Sequence, residues 1–279
     1  MSFHRESILS RPHTISLIVT TYNRPDALEA VLRACLAQDD EDFEIIVTDD
    51  GSTEATRHCV ERIAAGTQRR LVHVWQPDDG FRVARARNQG VLAARGDYVI
   101  FLDGDCVPRK DFVASHRRLA QPGCMITGSR VLLCPEFTRA ALAEQRDLHE
   151  AGLGVWWRAW RAGNIQKILQ LAIRLPDLGR VRRGFTMRRI KSCNMSAWRS
   201  DIERVNGFDE SFSGWGHEDA DFVVRLFNAG VRRKDGAFAT EVFHLWHKER
   251  NRDQAAHHDK LVYQSQVDKI IRAPVGLAR

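Results

Sequence analysis

Residues 98–105 read Tyr98-Val-Ile-Phe-Leu-Asp-Gly-Asp105, an apolar run that stops at two carboxylates one glycine apart. Val99, Ile100 and Phe101 favour a buried strand. In an open α/β sheet, whatever follows the carboxyl end of a strand faces the ligand crevice. Two carboxylates there repel each other and are costly to bury without a positive charge between them. A divalent cation meets that need, with Gly104 leaving room for a metal-bound phosphate. An acidic turn of ordinary turn-forming residues is the competing reading. The rest of the chain decides between the two.

Upstream, strand and helix patterns alternate. Strands are predicted at Ile15–Thr20, Phe43–Thr48 and Leu71–Trp75. Pro25 opens a helix with apolar positions at Leu28, Val31, Leu32 and Leu36. Ser52 is predicted to cap a helix reaching Ala65, and a third helix runs from Val83 to Ala94 with Gly96 as its stop. This order implies an α/β fold with a mainly parallel, helix-covered sheet. Downstream, the pattern predicts a helix at 111–119, a strand at 125–133 and a helical stretch over 140–180. A helix at 218–228 ending at Gly230, a strand at 238–245 and a helical tail beyond Gln254 follow.

At 279 residues the chain can bury one large core. No apolar stretch reaches the ~18 residues of a membrane span, and residues 1–10 lack the apolar core of a secretory signal, so a cytoplasmic location is expected. Six scattered cysteines without a CxxC pair suggest neither a zinc module nor a disulfide framework, and Cys106 is expected to be a packing residue. The net charge of +6 is concentrated: residues 156–191 hold ten Lys/Arg and one acid, Asp177.

Four clusters carry chemistry. Thr20-Thr-Tyr-Asn-Arg24 and Asp49-Asp-Gly-Ser52 each follow a strand and can face one crevice, where Tyr22 can stack on a base and Asp50 can accept its imide N–H. Asp78–Asn88 sets Arg82, Arg85 and Asn88 on one helical face, suited to a diphosphate or ribose. Gly214-Trp-Gly-His-Glu-Asp-Ala-Asp221 puts three acids in a first helical turn, which the helix dipole alone favours. Its glycines also bring Trp215 beside the acids, as in a carbohydrate site. Phe243-His-Leu-Trp-His247 lets His244 and His247 approach one point, and mixed carboxylate and imidazole ligation suits Mn2+ or Mg2+.

Together, and in this order, VTTYNRP, VTDDGS, DDGFRVARARN, FLDGDCVP, NMSAW with NGFDE, GWGHEDAD and FHLWH resemble the family 2 inverting glycosyltransferases of GT-A fold. The C-terminal half is similar to that of the β-1,4-galactosyltransferases and chondroitin-type polymerases. The resemblance implies a Rossmann-like sheet with an acceptor-side helical subregion, as a single catalytic domain. Its donor half would be 12–134, a basic amphipathic insertion 135–190, an acceptor half 191–250 and a helical tail 251–279. It also implies that Thr20, Tyr22, Arg24 and Asp50 hold the nucleotide, with uracil as base, and that Arg82, Arg87 and Asn88 line the nucleotide-sugar cleft. Asp103 would meet ribose or a metal-bound water. Asp105 and His247 would hold Mn2+ or Mg2+, with His244 where galactosyltransferases have a methionine. Trp215, Glu218 and Asp219 would bind the acceptor, with Asp219 as general base, ionised beside a helix start.

The expected activity is transfer of a hexose or N-acetylhexosamine from a UDP-sugar to a glycan or lipid-linked acceptor in surface polysaccharide or lipopolysaccharide synthesis. A nucleotidyltransferase would need an activating lysine in a Gly-rich N-terminal loop, which Thr20–Arg24 is not. A nucleotide-sugar-binding scaffold would have no need of Asp219 as a base. The basic segment, with Trp156, Trp157, Trp160, Ile165, Ile168, Leu169, Leu171 and Ile173 among its arginines, suits peripheral contact with an anionic membrane at its inner face. It would otherwise be an amphipathic helix packed on the core. No nucleic-acid-binding motif accompanies the charge.

Overall fold

The computed structural model describes residues 11–182, 184–187, 190–214, 216–248 and 255–278; the expectation for residues 1–10 lies outside them. In the first half, Ile15–Thr21 (β1), Pro25–Leu36 (α1), Phe43–Asp49 (β2), Glu54–Ala65 (α2), Leu71–Trp75 (β3), Val83–Ala93 (α3) and Tyr98–Asp103 (β4) follow the alternation read from the sequence. Pro25 is the first residue of α1, where its missing N–H costs nothing. Ser52 does not cap α2. Thr53 holds that position without a side-chain bond, while the Ser52 hydroxyl accepts from the Asn23 N–H at 2.8 Å.

The second half is built from shorter pieces. Cys106–Pro108 (β5), Phe112–Leu119 (α4), Cys124–Thr127 (β6) and Ser129–Leu132 (β7) come first. The strand expected over 125–133 is therefore two. A Cβ on Gly128, between them, would lie 2.1 Å from the Asn194 Oδ1, so only glycine lets the chain pass that amide. Pro135–Ala143 (α5), Leu153–Arg161 (α6) and Leu169–Ala172 (α7) replace the continuous helical stretch expected over 140–180. Asn194–Trp198 (β8), Arg199–Arg204 (α8), Glu218–Asn228 (α9), Arg232–Asp235 (β9), Glu241–His244 (β10) and Ala255–Val267 (α10) complete the described elements.

Seven strands form one sheet in the order β3-β2-β1-β4-β8-β6-β9. β3, β2, β1 and β4 are parallel, and β8 runs antiparallel to both β4 and β6. Alternate residues of β1 face opposite sides. Ile15, Leu17 and Val19 join the core under α1 and α2, and Ile18 joins the core with Phe101, Phe208 and Phe222. Each such fully buried aliphatic side chain contributes roughly 1.5–3 kcal/mol. A second sheet, β5-β10-β7, stands at the end of β4.

Residues 156–191 are only partly the amphipathic surface expected. Trp156 is buried and stacks on Phe243 at 4.0 Å, and Ile165 and Leu171 are core residues. Arg180 is buried and donates to the carbonyls of Leu175, Pro176, Asp235 and Ala237. Trp157, Trp160, Leu169, Ile173, Leu175, Leu178 and Met187 remain exposed, so the segment is divided between core and surface. Among the described residues no helix is long and apolar enough to cross a membrane, and the six cysteines are free.

Candidate active site

The end of β4 gathers the charged residues. β5 and β10 pair antiparallel with His244 opposite Cys106, and the Leu245 N–H donates to the Asp105 carbonyl at 2.8 Å. This short ladder brings both histidines to Asp105. His247 Nε2 lies 3.2 Å and His244 Nε2 3.8 Å from its carboxylate. His247 Nδ1 lies 3.1 Å from the Lys248 carbonyl, a contact that orients the ring with Nε2 toward Asp105. Burial lowers His244 to about 4, with Arg130 and His247 adding to it against Asp105, so its imidazole is neutral and able to ligate at neutral pH.

One carboxylate and two imidazoles with donor atoms within 4.8 Å of one another fit Mn2+ or Mg2+. The tight approach at Gly104 comes from the protein itself: a Cβ there would be 3.0 Å from the Thr20 carbonyl and 3.2 Å from the Thr21 Cβ. The crowding lies against β1, so the expected need to spare a metal-bound phosphate is not required to explain the glycine.

Behind Asp105 stands a buried charge network. Arg87 is 2% exposed; its Nη1 donates to Glu218 at 2.9 Å and its Nη2 to Asp103 at 3.1 Å. Burial, with Asp219 beside it, raises Glu218 to about 7 against the pull of Arg87. Burial likewise raises Asp103, Arg87 opposing it and Asp105 adding to it. Asp219 is half-buried at the start of α9, and its carboxylate accepts from the Ser192 N–H at 3.0 Å. His217, just before the helix, takes a left-handed φ of +73°, and Gly214 and Gly216 share that sign. A non-glycine residue held in this region at a site is strain that the surroundings must support.

The remaining expected nucleotide residues separate into two groups. Thr20, Tyr22 and Asp50 stay on the crevice side of β1 and β2. The Thr20 carbonyl takes the Gly104 N–H at 2.7 Å, and the Tyr22 hydroxyl donates to Asp78 at 2.9 Å. Asp50, 3% exposed, accepts from Gln76 Nε2 at 2.6 Å and from the Arg82 N–H at 2.9 Å, tying down the start of α3. Gly51 must be glycine here, since at φ +94° its Cβ would sit 2.4 Å from the Asp78 Cα.

Arg24 pairs with Asp26 at 2.9 Å and lies within reach of the Asp105 charge. Arg82 pairs with Asp79 and points along its own loop, so it does not join the Arg87 network. Asn88 is a corner brace: its amide bonds both backbone groups of Phe208 at 2.8 Å and Glu210 at 2.9 Å. Trp215 lies outside the described residues. Sequence reasoning missed Ser192, because a backbone donor has no side-chain signature, and gave Arg87 no structural part.

A family model described as glycosyl transferase family 2 matches residues 16–191, and one described as the N-terminal domain of galactosyltransferase matches 180–248. Validoxylamine A glucosyltransferase of Streptomyces hygroscopicus subsp. jinggangensis is 32% identical over 234 residues, covering 78% of this chain and 52% of that protein. The chain thus spans about half the length of this relative.

Two solved structures resemble the fold. The mannosyltransferase PcManGT from Pyrobaculum calidifontis, in complex with GDP-Man and Mn2+, has a TM-score of 0.59 and 20% identity over 93% of this chain and 65% of its own. TarS 1–349 of S. aureus, in complex with UDP-GlcNAc, has a TM-score of 0.61 and 15% identity over 95% and 68%. These likenesses identify the fold as GT-A.

Proposed function

The chain belongs to glycosyl transferase family 2, and on that footing we propose that it is a metal-dependent inverting glycosyltransferase acting as one catalytic unit. The observation that carries this reading is the meeting of Asp105, His244 and His247 at the end of β4 with Glu218, tied through Arg87 to Asp103. The donor is a UDP-sugar, a hexose or N-acetylhexosamine, held along Thr20, Tyr22 and Asp50. Asp105, His244 and His247 would hold Mn2+ or Mg2+, which when bound neutralises the charge on the departing diphosphate.

Asp219 removes the proton from the acceptor hydroxyl as that oxygen forms its bond to the anomeric carbon. The bond to the diphosphate breaks on the opposite side, its electron pair leaves with the phosphate, and the configuration inverts. The Ser192 N–H holds the base in place without removing its capacity to accept. Glu218, raised to about 7, is partly protonated at neutral pH and can donate to or accept from a second acceptor hydroxyl. The acceptor is a glycan or lipid-linked hydroxyl in surface polysaccharide or lipopolysaccharide synthesis. The exposed Trp157 and Trp160 support peripheral contact with the inner face of an anionic membrane.

A donor screen tests the reading. Each common nucleotide sugar is incubated with the protein and Mn2+, with and without EDTA, while nucleotide release and thermal shift are followed. Metal-dependent release from one UDP-sugar is the expected result. Response to GDP- or dTDP-sugars alone would overturn the donor assignment, and silence from every donor would overturn the activity.

A further inference from the structure

Beside the candidate active site, between β6, β7, the loop before β8 and the 160–170 segment, lies a cavity of about 230 Å³. Its wall carries four basic side chains, Arg130, Lys167, Lys191 and Arg233, against one acid, Asp235. Asp235 is already paired with Arg182 at 2.5 Å, so its charge does little to offset Arg130 and Lys191. Arg130 is partly buried, its nearest side-chain partner the Cys193 thiol at 4.0 Å. Among the described residues neither Arg130 nor Lys191 forms an ion pair with a carboxylate. Gathering cations in a partly dry cleft is unfavourable unless an anion enters it.

The cavity adjoins the site on the side away from the nucleotide residues. Cys193 in its wall is next to Ser192, whose N–H holds Asp219. Arg130 sits on β7 opposite Val242, two residues before His244 on β10. At about 230 Å³ the space is smaller than the several hundred Å³ that enclose a whole drug-sized ligand. It suits a charged substituent, or one ring bearing it.

We propose that this cavity is an anion subsite for the acceptor, in which Arg130 and Lys191 bind a carboxylate or phosphate ester carried by the sugar whose hydroxyl is glycosylated. The assignment rests on the glycosyl-transfer reading of Asp219. It narrows the acceptor to acidic or phosphorylated sugars. Neutral sugars would offer Arg130 and Lys191 no charged partner and bind weakly.

The test is isothermal titration of the whole chain with glucose, glucuronate and glucose 6-phosphate. An anionic probe is expected to bind at least about tenfold tighter than glucose, the worth of one charged hydrogen bond. Whichever anionic probe binds tighter identifies carboxylate or phosphate as the natural group. Arg130→Gln and Lys191→Gln should each erode that preference several-fold; Lys191 is exposed, so its variant does not disturb the core. Equal binding of all three probes, or a preference untouched by both variants, would overturn the subsite. UDP-, GDP- and dTDP-sugars are titrated with Mn2+ into the same preparation. Failure of all of these while the anion preference stands would overturn the glycosyl-transfer reading, and the acceptor assignment with it.

Discussion

Arg87 donates to Glu218 at 2.9 Å across 131 positions of chain, and the same guanidinium reaches Asp103 at 3.1 Å. One buried cation therefore joins the last residue of the central strand to the first residue of α9. Arg87→Met would leave two buried carboxylates without their partner. Removing one member of a buried pair costs about 3–5 kcal/mol, so urea denaturation should show a loss near the lower figure, because Glu218 can take up a proton. The Arg87→Met/Glu218→Gln double variant should recover part of it. A purely additive double variant would contradict the pairing.

Asp219→Asn should lower sugar transfer by about 10²–10⁴-fold, the usual contribution of a general base. Nucleotide binding measured by calorimetry should persist, since Asp219 touches only the acceptor side in the proposed mechanism. Equal loss of both would reassign the residue.

Asp105→Asn and His247→Ala should each weaken Mn2+ binding by at least about tenfold, read by electron paramagnetic resonance of the free ion. His244→Ala distinguishes a third ligand from a bystander. Unchanged affinity in His247→Ala would remove that residue from the metal set.

Glu241 gives stability a pH dependence. Burial, offset by the Phe238 N–H and by Arg174 and Arg109, raises it to about 7 from an unfolded value near 4.5. The native state therefore holds a proton that the unfolded chain has lost. The resulting stabilisation is complete below pH 4.5 and disappears as pH rises through 7. The melting temperature should fall between pH 5 and 7.5 from this group, with a limiting slope of about 1.4 kcal/mol per pH unit. Glu241→Gln should flatten that part of the profile.

Trp157 and Trp160 are 50% and 40% exposed on α6 and lie 5.2 Å apart, centroid to centroid. If this face meets a membrane, flotation with phosphatidylglycerol vesicles should fall at least about tenfold in Trp157→Ser/Trp160→Ser, and neutral vesicles should bind neither form. Undiminished flotation of the double variant would dismiss this face.

The parallel half was legible because β1 to β4 are short runs rich in Ile, Val and Leu that alternate with helical patterns. β9 was not, because Arg232-Arg-Lys-Asp235 reads as a solvated loop while the fold gives Lys234 the Leu119 carbonyl and Asp177 as partners. β5 is three residues long, too short for any pattern, yet it aligns Asp105 with His244. Within the site, Asp105, His247 and Asp219 stood out as motif residues. Arg87 lay one position off the helical face drawn through Arg82, Arg85 and Asn88. The resemblance named it for the nucleotide-sugar cleft, but only the charge balance of Asp103 and Glu218 shows its part in bracing the site.

The reversed direction of β8 has a wider consequence. Because Leu102 pairs with Asn194 in antiparallel register, the segment entering β8 arrives at the rim where β4 ends. A parallel strand would have entered from the far edge of the sheet. Lys191, Ser192 and Cys193 thus overlook the candidate site while belonging to none of the strands that carry the proposed nucleotide residues. Under the proposed function, changes in that one segment would retailor the acceptor while the residues assigned to the donor stay as they are, so partner choice and chemistry would be free to diverge at different rates.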